Sequence, residues 1–420
     1  GWLAIRRNTG NGFEPVTSSM TTARQIEDQM GIVAARLGWG TNRAIVIANS
    51  NYESGGKYTP VAQVGELGNR SGHFGTIPGE LETPGPLALV DVDGDGDLDL
   101  FVGGRVVPGK YPAAASSRIY LNEDGGFELS ANWSRPFEKI GLVTSAQFSD
   151  FNNDGRPDLV LAIEGGEVRV FLNDGGGFTK STVGLENRRG FWTSVVTGDF
   201  NNDGLTDIAA GNWGRNTAYE RFLKDKPLRI YHGDVDGNGT YDVIPTLFNP
   251  ALKKYVPAIG PEMVMAHLPV AAERFVSFAA FAETGIEQVI GGGSVQVMEI
   301  NTLESMLFLN RGSTFEPKPL PIEAQFALVF GMAVADFDND GNEDLVLGQN
   351  LFETRWEMGR LDSGRPLSLR GDGKGNFQTV SPAESGLSAS GQQRAVGLAV
   401  YNRAGRGGGA VSHDNHETEL

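Results

Sequence analysis

The sequence DVDGDGDLD at residues 91–99, followed directly by the apolar run LFVGG, decides the fold. Acidic side chains occupy positions 1, 3, 5 and 9 of this nine-residue loop, and glycine occupies position 6. Four further copies keep acids or amides at those positions and glycine at position 6: DFNNDGRPD (150–158), DFNNDGLTD (199–207), DVDGNGTYD (234–242) and DFDNDGNED (336–344). Five copies with this spacing indicate one repeated structural unit.

The spacing of the oxygen-bearing residues predicts a calcium loop. Ca²⁺ takes about six to eight oxygen ligands from carboxylates, amides and backbone carbonyls. A loop curled around the ion points alternate side chains inward, and glycine tolerates the positive φ at which the backbone reverses. A carbonyl at position 7 and the carboxylate at position 9 would complete the shell. The predicted ligand positions, for up to five Ca²⁺ ions, are Asp91, Asp93, Asp95, Asp97, Asp99, Asp150, Asn152, Asp154, Arg156, Asp158, Asp199, Asn201, Asp203, Leu205, Asp207, Asp234, Asp236, Asn238, Thr240, Asp242, Asp336, Asp338, Asp340, Asn342 and Asp344.

The alternative is that these stretches are plain turns, because Asp, Asn and Gly are common turn residues. Electrostatics favours the metal. Two unit charges about 4 Å apart repel by about 4 kcal/mol at an effective dielectric near 20, and the first loop holds five carboxylates. The first positions also match an EF-hand loop, but there the closing carboxylate stands at position 12 and a helix follows.

Four glycine-containing hairpins define the second half of the repeat: SRIYLNEDGGFEL (117–129), VRVFLNDGGGFTK (168–180), SMLFLNRGSTFEP (305–317) and LSLRGDGKGNFQT (367–379). Each is a strand, a polar glycine turn and an aromatic that begins a return strand. The repeat is therefore strand, loop, strand, connection, strand, turn, strand, which is typical of a β-propeller.

We predict an all-β chain that forms a single β-propeller domain over residues 1–420, and the count of repeats predicts seven blades. The predicted blades start near residues 31, 88, 144, 193, 229, 331 and 394. Residues 1–16 resemble the second half of a repeat and residues 395–415 a first half, so we predict that the two ends share one blade and close the ring. The first and last blades lack the acidic ligands and are predicted to bind no metal.

The stretch between the fourth and fifth loops has two interpretations. Residues 280–288 fit the loop register with glycine at position 6, but every ligand is missing. Alternatively, Thr284 and Glu287 form a capping box before an apolar run. We favour a short helical insertion near residues 275–295.

Composition restricts the class of protein and of partner. The formal charge of −17 argues against nucleic acid and anionic membranes as partners. The chain has no cysteine, so disulfides are excluded. It has no apolar run of about 18 residues, so no membrane insertion is expected. No signal peptide is recognisable in this sequence, which is compatible with a processed or trimmed chain.

The loops with their LxVGG continuations resemble the FG-GAP/VCBS repeats of integrin α-subunit propellers and of secreted bacterial proteins. Residues 101–126, 190–216 and 228–244 resemble bacterial relatives of the cartilage acidic protein (ASPIC/UnbV) family. The resemblance spans nearly the whole chain and implies a calcium-binding propeller in an extracellular or cell-surface setting. It implies the same ligand positions as the spacing does.

The sequence shows no catalytic constellation, and we therefore expect a binding protein instead of an enzyme. The first hypothesis is a secreted or cell-surface propeller that binds a protein or glycan, in adhesion or assembly. The second is a calcium-dependent polysaccharide lyase or hydrolase with its site in the central depression. The third is a component of a larger surface assembly, whose partners are further copies or other subunits.

Two short motifs have a plain and a functional interpretation. Arg370, Gly371 and Asp372 spell an integrin-recognition tripeptide, but they fall in a hairpin turn, and we favour a plain turn. NWGRN at residues 212–216 combines an aromatic ring with amides, which suits a sugar ring as well as packing between blades. We favour packing.

Overall fold

The structure is a computed structural model that describes residues 6–8, 13–15, 27–37, 43–52, 61–66, 74–79, 81–123, 126–181, 184–223, 226–275, 277–352, 361–389, 391–400 and 407–413. The strands up to the third acidic loop are β1 (Arg6–Asn8), β2 (Phe13–Pro15), β3 (Gln29–Ala35), β4 (Ala44–Asn49), β5 (Ala62–Glu66), β6 (Phe74–Ile77), β7 (Thr83–Val90), β8 (Asp99–Val106), β9 (Arg118–Glu123), β10 (Gly126–Leu129), β11 (Leu142–Ser149), β12 (Asp158–Gly166), β13 (Arg169–Asn173), β14 (Phe178–Ser181), β15 (Gly190–Phe191) and β16 (Ser194–Gly198). The remaining strands are β17 (Asp207–Gly211), β18 (Leu228–Gly233), β19 (Asp242–Asn249), β20 (Lys254–Pro257), β21 (Gln296–Ile300), β22 (Met306–Asn310), β23 (Phe315–Pro319), β24 (Val329–Ala335), β25 (Asp344–Gln349), β26 (Leu367–Gly371), β27 (Phe377–Val380), β28 (Gln393–Val400) and β29 (Gly407–His413).

In the described part of the chain, helices are few and short. They are α1 (Ala131–Ser134), α2 (Glu220–Leu223), α3 (Pro261–His267), α4 (Pro269–Arg274), α5 (Phe278–Ala282), α6 (Ile286–Ile290) and α7 (Pro382–Ser385), with 3₁₀ turns at Arg135–Phe137 and Ile322–Gln325. Among the described residues, no helix combines the length and the apolar character needed to traverse a bilayer.

Five antiparallel sheets follow one another around an axis. Their strand orders are β3-β4-β5-β6, β7-β8-β9-β10, β11-β12-β13-β14 (with β15 beside β12), β16-β17-β22-β23 and β24-β25-β26-β27. The first strands β3, β7, β11, β16, β24 and β28 contact one another in that series. This radial arrangement of four-stranded sheets is a β-propeller, as predicted.

The hydrophobic cores lie between neighbouring sheets. Consecutive residues are buried along β8, β12, β17 and β25, which shows that both faces of these second strands are covered. Between the second and third sheets, for example, the ring of Phe137 meets Phe101 and Phe171 edge-on, with centroids 5.6 and 5.0 Å apart. Trp192, completely buried, serves the same purpose between the third and fourth sheets.

The fourth sheet corrects one predicted blade. The second strand β17 pairs with β22, with Ile208 opposite Phe308, although about a hundred residues separate them in the chain. The predicted blade starting near 229 instead lies inside this sheet's connection, as a separate sheet of order β20-β19-β18-β21. We call residues 212–305 the insert. The strand pair 306–319, predicted to complete the blade near 229, completes the blade near 193, and the predicted count of seven blades is not confirmed.

The insert has its own core. Tyr231, Ile244 and Tyr255 on one face of its sheet pack against the helices α3–α6. The opposite face, which includes Leu228 and Ile230, packs against the ring. The helical interpretation near 275–295 is confirmed by α5 and α6, and the helical segment begins earlier than predicted, at Pro261.

The cap of α6 differs from the predicted capping box. Gly285 is the N-cap residue, and its N–H donates to Oε1 of Gln288 at 3.1 Å. Thr284 instead donates its hydroxyl to the carbonyl of Ala280, at 2.7 Å, in the preceding helix. The cap therefore lies one residue later in the chain than the sequence pattern indicated.

The two terminal hairpins are separate two-stranded sheets, β1-β2 and β28-β29, in the described residues. Residues 1–5, 9–12 and 401–406 lie outside the described residues. The sharing of one blade by the two chain ends therefore stays a prediction.

Candidate metal centre

Every acidic loop joins the first and second strands of its sheet. Four loops connect strands of the ring (β7 to β8, β11 to β12, β16 to β17 and β24 to β25), and the fourth loop in the chain connects β18 to β19 in the insert. In each case the aspartate at position 9 is the first residue of the second strand. The repeated sequence thus encodes a strand reversal whose ends are fixed by the sheet.

The carboxylate at position 1 holds the loop's reversal. It accepts the N–H of the glycine at position 6 in all five loops, at 3.0, 2.8, 2.9, 3.2 and 3.0 Å. That glycine has φ between +82° and +98° in every copy. The predicted need for glycine is confirmed, because side chains rarely adopt this conformation.

The carboxylate at position 9 is buried and links three parts of the sheet. The five aspartates are at most 5% exposed. One oxygen accepts the N–H of loop position 2, at 2.8 to 3.0 Å in the five copies. In the four ring loops the other oxygen accepts an N–H of the third strand, from Asn122, Asn173, Asn310 or Gly371, at 2.7 to 2.9 Å.

Burial disfavours the charged form of these carboxylates when no cation is nearby. It raises the pKa of Asp99 to about 6 and the pKa of Asp207 to about 7, with smaller contributions from neighbouring loop acids. The same desolvation raises the pKa of Asp158 and Asp344. A bound cation would favour the charged form and offset this cost.

Three loops bring the acids at positions 1, 3 and 9 together. Within each triad, one oxygen of each carboxylate lies within 4.8 Å of the others. The triads are Asp91, Asp93 and Asp99; Asp234, Asp236 and Asp242; and Asp336, Asp338 and Asp344. The second and third loops have asparagine at position 3, namely Asn152 and Asn201. These donor sets fit a hard divalent cation, which prefers carboxylate and amide oxygens.

The other predicted positions are placed differently. The position-5 acids Asp95, Asp154, Asp203 and Asp340 lie outside the triads, and each accepts the N–H of position 7, as Asn238 does in the insert. The side chains at position 7 (Asp97, Arg156, Leu205, Thr240 and Asn342) share no chemistry, as expected if that position contributes only its carbonyl. Arg156 directs its guanidinium to Asp154, at 2.5 Å.

One recurring residue was missed by the sequence analysis. The asparagine at or next to the end of the third strand, Asn122, Asn173 or Asn310, is at most 3% exposed. Its amide donates to the carbonyl of Leu37, Val92 or Phe151, respectively, in the preceding repeat, at 2.8 to 3.1 Å. The signal was visible as the N of YLN and FLN in three of the four hairpins.

Neighbouring ring loops are also bonded to each other. Thr206 donates its hydroxyl to the carbonyl of Asp150 at 2.8 Å, and Asn202 donates its amide to Oδ1 of Asn342 at 2.9 Å. The third loop therefore contacts both the second and the fifth. Among the residues that the structure describes, the insert's loop makes no bond of this series.

The opposite end of the ring carries a depression of about 790 Å³. Its lining includes the starts of the first strands and the ends of the second strands, whereas each acidic loop connects the end of a first strand to the start of a second. The lining includes Arg105, Glu164, Phe191, Trp213, Phe330 and Arg394. Arg105 forms an ion pair with Glu164, and the guanidinium of Arg394 lies 4.4 Å from the centroid of the Phe330 ring.

The two ambiguous motifs have defined places. Arg370 ends in ion pairs with Asp338 at 2.5 Å and Glu384 at 2.9 Å, and Asp372 accepts backbone N–H groups of the hairpin turn. Trp213 stacks on Phe191 with centroids 4.3 Å apart. The first motif is built into a turn, and the second packs as favoured, although Trp213 also lines the depression.

Comparison with known proteins agrees with the repeat. The family described as FG-GAP-like repeat matches residues 91–161 and 150–210. No curated protein matches this chain. A solved structure described as BBS1N in complex with ARL6DN, soaked with lead, aligns over 90% of this chain and 87% of that chain, with 11% identity and a TM-score of 0.35. That likeness is too distant to carry a functional argument. By its own sheets the chain is a β-propeller, and its residues 91–210 match the FG-GAP-like repeat.

Proposed function

We propose that this chain is a calcium-stabilised binding protein of the cell surface or extracellular space, which presents the depression to a protein or glycan. The observation that supports this proposal is that the two ends of the ring carry different kinds of side chain. Acidic loops with position-9 carboxylates buried in the sheets occupy one end, and aromatic and cationic side chains line the concave opposite end.

Calcium has a structural purpose in this proposal. Each ion would join positions 1 and 3, which directly follow the first strand, to position 9, which begins the second strand. Because the position-9 carboxylate also binds the third strand, the ion would stabilise three strands at once. The extracellular setting supplies calcium at concentrations that fill sites with dissociation constants of about 10⁻⁴ to 10⁻³ M.

Binding at the depression is tested with immobilised glycans and peptides, in calcium and in chelator. We expect Arg394→Ala to abolish retention of the ligand that wild type selects. Arg311→Ala is the matched control, because this exposed arginine pairs with Asp203 and Glu316 at the loop end. Binding that is lost in Arg311→Ala and kept in Arg394→Ala would overturn the proposal.

The same ligands test the enzymatic alternative. Glycans retained by the chain are incubated with it and their reducing ends or unsaturated products are measured. We propose that no turnover occurs. Product formation that disappears in Arg394→Ala, with melting behaviour unchanged, would assign the depression to catalysis.

A further inference from the structure

The insert and the ring enclose a second cavity of about 310 Å³. The insert contributes alternate residues of two strands, Leu228 and Ile230 from β18 and Val243 and Leu247 from β19. Alternation places these side chains on the face turned away from the insert's helices. The cavity has the size and the apolar lining of a site for a small ligand.

Aromatic side chains form one wall, Phe191 from the third sheet and Trp213 and Tyr219 from the insert. Trp213 stacks on Phe191 at an interplanar angle of 23°, and Tyr219 lies 6.3 Å from Trp213 at 35°. All three rings line the cavity. Nearly parallel rings favour a flat ligand, because offset stacking is a preferred geometry of aromatic pairs.

Two polar groups belong to the same lining. The hydroxyl of Thr217 is buried and has no hydrogen-bond partner among the described residues. A buried hydroxyl without a partner is costly, so a ligand atom that bonds to it would be favoured. Arg221 also lines the cavity and is itself exposed, and its guanidinium lies 4.5 Å from the centroid of the Phe222 ring.

We propose that this cavity binds a single ring-bearing carboxylate, with the ring against Trp213, the carboxylate toward Arg221 and a hydrogen bond to Thr217. A charge-assisted bond from a guanidinium to a carboxylate is stronger than a neutral one. This cavity shares Phe191 and Trp213 with the depression, but Thr217 and Arg221 do not line the depression, so variants at these two residues test the proposal separately from the function proposed there. Its chemistry occurs in free aromatic acids and at a peptide C-terminus that ends in an aromatic residue.

The test uses the full chain in calcium and follows the fluorescence of its tryptophans and the heat of binding. The probes are 3-phenylpropanoate and a short peptide ending in phenylalanine. Each is compared with the corresponding amide, in which the carboxylate is replaced by an uncharged group. We expect acid to bind about tenfold or more tightly than amide, a difference of about 1.4 kcal/mol. Binding by the free acid identifies a small-molecule site, and binding by the peptide alone identifies a chain terminus.

Variants assign the binding to this cavity. Arg221→Gln should remove the preference for the acid, and Thr217→Val, which keeps the side-chain shape, should weaken both probes. Lys226→Gln is the matched control, because Lys226 is an exposed cation of the insert that does not line the cavity. No binding of either probe at millimolar concentration, or equal binding of acid and amide, would overturn the proposal. So would an effect of Lys226→Gln equal to that of Arg221→Gln.

Discussion

Replacing Asn173 with alanine should loosen the junction between the second and third sheets. The amide of Asn173 donates to the carbonyls of Val92, at 2.8 Å, and Pro157, at 3.3 Å. Its own Oδ1 accepts the N–H of Gly175 at 2.8 Å. The backbone bond to Asp158 would survive, because it uses the main-chain N–H.

The magnitude follows from the groups left without partners. A buried polar group that loses its hydrogen bond costs roughly 1–3 kcal/mol. Val92 is 3% exposed, so its carbonyl would carry most of that cost, whereas Gly175 can turn to water. Together with the smaller terms, we expect the free energy of unfolding to fall by about 3 kcal/mol. Asn173→Asp should lose at least as much, because it places a carboxylate beside Asp158.

The measurement is urea unfolding in saturating calcium, followed by tryptophan fluorescence, with the slope compared between variants. Asn132→Ala is the control, since Asn132 is exposed and donates one bond, to Gly176 at 2.9 Å. We expect the control to change the free energy of unfolding by about 0.5 kcal/mol or less. An Asn173→Ala variant as stable as this control would refute the assignment of Asn173 to the junction.

Chelation should lower the melting temperature strongly, and Asp338→Ala, which removes the position-3 carboxylate of one triad, should reproduce part of the loss. Melting curves that coincide in chelator and in millimolar calcium would contradict the metal interpretation. Gly198→Ala would place a Cβ against Oε2 of Glu343, which is the flexible end of that side chain and can move away, so it should destabilise by only about 1 kcal/mol. That loss should shrink in a Glu343→Ala background, and strictly additive losses in the double variant would show that the two sites do not touch. Thr206→Val removes the hydrogen bond from the third loop to the carbonyl of Asp150 in the second loop. Calcium binding, measured by calorimetric titration, should therefore become less cooperative than in wild type. An unchanged titration curve would mean that the loops bind calcium independently.

The local parts of the fold were predictable because they depend on neighbouring residues. A glycine at loop position 6, acids at positions 1 and 9 and an acid or amide at position 3 specify the reversal, and the structure forms it in every copy, in the ring and in the insert alike. Hairpins such as 168–180 were predicted for the same reason. The oxygen donors, the turn residue and the flanking strands all lie within about fifteen residues.

Partner choice between distant strands was not predictable from the same patterns. The loop at 234–242 has the motif of a ring blade, yet β17 pairs with β22 and leaves that loop outside the ring. The nine residues of the loop do not determine which strand will pair with the strands that they connect. The role of Asn173 was missed for the same reason, since its amide bonds to a carbonyl 81 residues earlier in the chain.

Hydrogen bonds join the two points at which the chain leaves and rejoins the fourth sheet. The amide of Asn212 donates to the carbonyls of Thr302, at 3.1 Å, and Glu304, at 3.3 Å, while its N–H donates to the hydroxyl of Ser305, at 3.1 Å. Because the two ends of the insert lie this close, another segment could replace it at the same position while the surrounding strands keep their register. The insert can therefore be replaced, in evolution or by engineering, without disrupting the ring of sheets.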